Sequence, residues 1–91
     1  MRFTCDEHKS ISNKKKHGFD LSSAREVIEG GATLMFEDRR FGYDEQRFQT
    51  LGFYVDCVVV IITAETSSEI RIISMRKADK NEQKIFYQSC S

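Results

Sequence analysis

The apolar run VVVIITA at positions 58–64 constrains this chain more than any other stretch. It is far shorter than the ~20 residues a membrane-spanning helix needs. Its β-branched side chains favour an extended backbone. A strand that is apolar on both sides must lie inside a sheet covered on both faces, so VDCVVVIITA (55–64) is expected as an inner strand. Three further strand-like runs surround it, ATLMFED (32–38), QRFQTLGFY (46–54) and EIRIISMRK (69–77). The connections between them, RRFGYDE, a turn near Asp56, and ETSS, are too short for parallel crossovers, which predicts an antiparallel meander of four strands.

The N-terminal third reads differently. MRFTC suits a short first strand, after which Asp6 offers an N-cap to a helix over residues 7–17. That helix is rich in charge and has only Ile11 clearly apolar, so a surface position is expected. Gly18 stands where a helix turns left-handed to end. Asp20 caps a second helix over 20–29, whose Leu21, Ala24, Val27 and Ile28 form a core-facing stripe before Gly30-Gly31. Asp79-Lys80-Asn81-Glu82 matches a capping box and opens a last helix carrying Ile85, Phe86 and Tyr87. The expected architecture is one α+β domain over residues 1–91. Its antiparallel β-sheet combines a short N-terminal strand with a four-strand meander, two N-terminal helices pack on one face, and a C-terminal helix follows.

Fourteen basic and fourteen acidic residues cancel, so the chain as a whole attracts no polyanion. A nucleic-acid site must then be a local patch, and DNA binding by this chain alone is not expected. Three widely spaced cysteines (Cys5, Cys57, Cys90) do not make a disulfide framework and fit a reducing cytosol, so a cytoplasmic location is expected. The first residues lack the apolar core of a signal peptide, and no membrane association is expected. Cys5 and His8 have only a half-site spacing for zinc. No glycine-rich phosphate loop, nucleophile elbow, HExxH or paired CxxC occurs, so neither metal nor cofactor is expected.

Two groups of residues can carry chemistry. Asn13, Lys16 and His17 share one helical face by their i, i+3, i+4 spacing. Lys16 and His17 complement a negative helix end, which is an ordinary structural role. The same lysine can also hold a phosphate, and a histidine can move a proton. In EIRIISMRK, alternation places Arg71 and Arg76 on opposite faces of a regular strand, and only a bulge or an early strand end would bring them together. An arginine flanked by isoleucines on a central strand needs a carboxylate or a phosphate as partner. Glu82 reads as a cap, and Glu37, Asp38, Asp44 and Glu45 beside Arg39 and Arg40 as a solvated charge mixture.

Taken in order, Asp6, Lys9, Asn13, Lys16-His17-Gly18, Ala24, Val27, Glu45 with Arg47, Gly52, Thr63, RIIS at 71–74, Arg76, Ala78, Glu82 and Tyr87 resemble the BrnT toxin family. The most specific pieces are N..KHG (Asn13 to Gly18) and RIIS.R.A (Arg71 to Ala78). The resemblance implies a type II toxin with a RelE-like fold. It implies an endoribonuclease that inhibits growth by metal-independent cleavage of RNA, with Lys16, His17, Arg71, Arg76 and Tyr87 as its catalytic residues. It also implies a partner, a small ribbon-helix-helix antitoxin (BrnA-like) that neutralises the toxin in a hetero-oligomer. The chain departs from the family pattern at Ile62, Glu65 and Gln83, where an aromatic and two arginines are common. Two rival readings follow, a non-catalytic protein-binding module and an attenuated toxin remnant.

Overall fold

A computed structural model describes residues 2–38 and 46–90. The chain is α+β. Strand β1 (Arg2–Cys5) leads into helix α1 (Glu7–His17), and a 3-10 turn (Leu21–Ser23) runs directly into helix α2 (Ala24–Gly30). The strands β2 (Leu34–Asp38), β3 (Gln46–Tyr54), β4 (Cys57–Glu65) and β5 (Glu69–Lys77) follow, and helix α3 (Lys80–Cys90) closes the chain. One five-stranded sheet forms in the order β1-β5-β4-β3-β2. The meander β2–β5 is antiparallel, as the short connections require. Of the charge mixture, Glu37 and Asp38 end β2, while Arg39, Arg40, Asp44 and Glu45, with the rest of the RRFGYDE connection, lie outside the described residues.

The expectation of a wholly antiparallel sheet is corrected at one strand. β1 pairs parallel to β5, Phe3 opposite Ile70 and Cys5 opposite Ile72. Both helices, and three strands, separate β1 from β5, so nothing forces the two to run in opposite directions. Two smaller differences concern the helical stretch. Asp20 caps the 3-10 turn by accepting from Ser22 N, and the α-helix proper begins only at Ala24. Leu21, Ala24 and Val27 are buried as expected, whereas Ile28 is half-buried and packs at the margin.

β4 lies inside the sheet and feeds two apolar clusters, one on each face, as its two-sided composition demands. Val59 and Ile61 join Leu21, Ala24, Val27, Ile72 and Met75 beneath the N-terminal helices. Val58 and Val60 join Leu51, Ala78 and Phe86 on the α3 face. Val55 and Asp56 do not extend β4 but form the two-residue turn between Tyr54 and Cys57.

Helix α1 does lie at the surface, and Ile11 is exposed. Its inner face is polar. Ser10 and Asn13 are buried, and the Asn13 carboxamide donates to Met75 O at 2.8 Å and accepts from Met75 N at 3.2 Å. It also donates to Phe19 O at 2.8 Å. β1 pairs with β5 only as far as Ile72, and beyond that point the Asn13 side chain takes up the backbone groups of Met75 in place of a neighbouring strand. Hydrogen bonds rather than apolar burial therefore anchor α1, which is why its sequence lacks an apolar stripe.

Candidate nucleic-acid interface

The ladder between β4 and β5 contains the irregularity on which the arginine pair depends. Ile62 pairs with Ser74, but the next residue, Thr63, pairs with Ile72, leaving Ile73 as the extra residue of a bulge. Arg76 then lies opposite Val60, and Arg71 opposite Ala64. Since residues 60 and 64 share a face by alternation, the bulge brings Arg71 and Arg76 to the same side, the α3 side. They stand at opposite ends of β5, separated by four β4 residues or roughly 13 Å.

Arg76 meets α3 at its start. Its Nη1 and Nη2 donate to the two carboxylate oxygens of Glu82 at 2.8 and 2.9 Å. Nη1 also donates to Lys77 O at 3.3 Å. Glu82 performs the capping role expected of it as well, accepting from Asp79 N at 2.9 Å, while Asp79 accepts from Glu82 N at 2.8 Å. The Arg76 guanidinium holds the Glu82 carboxyl below its ordinary value, burial opposes this, and the Asp79 backbone bond assists. A guanidinium carries five N–H groups, so two of them remain after these three bonds. Arg76 can hold its carboxylate and still meet a phosphate.

Lys16 and His17 end α1 with Gly18 in the left-handed conformation (φ 86°), as the sequence predicts. Asn13 anchors that helix to Met75, the residue before Arg76, and the two side chains follow within about one helical turn, 5.4 Å. Lys16 is exposed and His17 half-buried. The structure thus places Lys16, His17 and Arg76 at one end of β5, with Arg71 at the other. Tyr87 is exposed on α3, which packs on β2 and β3, and its ring meets Phe86 edge-on at 5.6 Å. It lies on the other side of the sheet from Lys16 and His17.

One residue on this face carried the family resemblance but was given no role by the sequence reading. Arg47 of β3 pairs with Ala64 from the side opposite Arg71, so the two arginines flank one small residue. Both are half-buried, and their Nε atoms are buried, although each residue has interactions of its own. Counting back from the Tyr54–Cys57 hairpin would have found the pairing, had the turn been placed at Val55-Asp56. Gln83, one of the departures, donates to Ala78 O at 3.0 Å and so helps to fasten the first turn of α3. Among the described residues no group of three or more His, Cys, Asp or Glu side chains could hold a metal ion. No helix among them is long and apolar enough to cross a membrane.

Among curated proteins none matches the chain. The family model described as the ribonuclease toxin, BrnT, of type II toxin–antitoxin systems matches residues 5–82 of the 91. That stretch runs from the end of β1 through the bulged strand to the Glu82 that grips Arg76. The chain belongs to the BrnT family of ribonuclease toxins.

Proposed function

We propose that this chain is a metal-independent endoribonuclease of RelE-like fold whose site lies where the end of α1 meets β5. The observation that carries the reading is the bulge at Ile73, which turns Arg71 and Arg76 to one face in a chain of this family. Cleavage without a metal requires the RNA 2′-hydroxyl to attack the adjacent phosphate. A base must take its proton, an acid must protonate the leaving oxygen, and cations must stabilise the charge on the pentavalent phosphorus. Arg76 and Arg71 serve as phosphate ligands, Arg76 held in a fixed orientation by Glu82. Lys16 adds positive charge, and His17 transfers a proton. Tyr87 lies on the α3 side with Arg71 and Arg76, across the sheet from Lys16 and His17, and contributes only if RNA reaches α3 as well as the end of α1.

The test is the cleavage rate of a defined RNA, with thermal unfolding measured on each variant. His17→Ala is expected to lower cleavage about a hundredfold or more with little loss of fold. Arg76→Ala should cost several kcal/mol of transition-state stabilisation, and Arg76→Lys should rescue poorly because lysine lacks the planar fork. Unchanged cleavage in both alanine variants would return these residues to helix capping and ion pairing.

A type II toxin is held silent by an antitoxin. A BrnA-like ribbon-helix-helix partner, in a cytoplasmic hetero-oligomer, would cover the α3 side of β5 and oppose its cations with acidic side chains. Association should be faster at low salt. Hydrogen exchange in the complex should protect the segments carrying Arg71 and Arg76, and protection confined to the opposite face would exclude direct occlusion.

A further inference from the structure

We infer that single-stranded RNA crosses the sheet along the row Arg47–Ala64–Arg71, with Phe36 stacking a base beside it, an assignment that rests on the ribonuclease reading. The register sets the geometry. Arg47 and Arg71 both pair with Ala64, so they stand two strand spacings apart, roughly 9–10 Å. Arginine side chains at that separation can meet neighbouring phosphates of one strand. Ala64 between them contributes only a methyl group, so nothing tall divides the two cations.

The next row toward α3 contains Phe36, Gln49, Ile62 and Ser74 on the same face. Phe36 precedes Asp38 by two residues on β2, and Asp38 pairs with Arg47, which makes Phe36 a diagonal neighbour of that arginine. Phe36 is 46% exposed. One row further, Leu51 and Val60 belong to the α3 cluster and Leu34 packs against it, as does Ile62 of Phe36's own row, whereas Phe36 remains exposed. An exposed aromatic beside a pair of arginines is the combination that holds single strands, since a base stacks on the ring while its phosphate meets the cation.

Two carboxylates border the row. Asp38 ends it on the β2 side and leaves the row a net positive charge. Glu69, on the same side of β5 as Arg71, is bonded to Arg2 at 3.2 Å. This local surplus is how a chain of zero net charge can present a cationic strip.

The experiment measures binding of a labelled 2′-O-methyl RNA of about a dozen nucleotides, which cannot be cleaved, across a salt series, together with kcat and KM on cleavable RNA. Phe36→Ala should weaken binding about 5- to 150-fold and leave the salt dependence unchanged, because stacking releases no counterion. Phe36→Trp should restore it. Arg47→Gln should reduce the slope of log affinity against log salt by about 0.7, and Arg47→Lys should keep that slope. Both losses should fall on KM more than on kcat. If the unaltered chain binds and cleaves RNA while Phe36→Ala and Arg47→Gln match it, the row is wrong and the ribonuclease reading survives. If the unaltered chain neither binds nor cleaves, both fall. Should Phe36→Ala spare RNA but weaken the antitoxin, the ring belongs to the protein interface and the stacking assignment is overturned.

Discussion

Val55 is the one non-glycine residue with positive φ among the described residues, at 58°, and it sits in the β3–β4 turn with Asp56 N donating to Tyr54 O at 2.7 Å. A β-branched residue is strained there, and at 80% exposure it has no packing to offset the strain. Val55→Gly should therefore raise stability by roughly 1 kcal/mol, about 4–8 °C in melting temperature, without touching cleavage. Asp20 makes the opposite kind of prediction. Its carboxylate accepts from Ser22 N, Ser10 Oγ and Ser22 Oγ, which lowers its pKa from 3.8 to about 2. Because the folded value lies below the unfolded one, this stabilisation is complete above about 3.8 and is lost as pH falls toward about 2. Glu82 and Asp6 are lowered as well and add to the same trend. Melting temperature should fall steadily on acidification, and Asp20→Asn should flatten part of that fall.

β3 passes closely under α2 at Gly52. A methyl group on Gly52 would run into Val27 Cγ1, and valine has little rotamer freedom to move aside. Gly52→Ala should cost about 1–3 kcal/mol, visible as a lower urea midpoint with an unchanged slope. At this scale the sequence was most informative where local chemistry decides. The four strands, the capping residues Asp6 and Asp79, the left-handed Gly18 and the inner position of β4 all follow from alternation and turn residues. The parallel pairing of β1 did not, because it depends on how intervening elements stack. The candidate site was legible in part. Arg71 and Arg76 could be named, but alternation alone sends them to opposite faces, and only the pairing ladder reveals the extra residue Ile73. The place of Arg47 beside Arg71, and of Phe36 beside both, stayed hidden because it is set by register across the strands. The grip of Glu82 on Arg76 was missed since a capping box already accounted for the glutamate.

For the whole molecule, the attachment of α1 to β5 through Asn13 links the fold to the candidate site. The same three hydrogen bonds that seat the helix also set where Lys16 and His17 stand relative to Arg76. Asn13→Ala would strip partners from the N–H and C=O of Met75 and the C=O of Phe19, costing on the order of 3–5 kcal/mol. Its cost would extend beyond unfolding. Past Ile72, β5 would offer bare backbone donors and acceptors along the edge that β1 leaves uncovered, the kind of surface onto which another chain can add. Light scattering should therefore rise sooner for Asn13→Ala than for a core variant of matched melting temperature, both heated to the same interval below their midpoints. One carboxamide stands where a sixth strand would otherwise dock, and whether this sheet ends with its own chain or recruits the next depends on it.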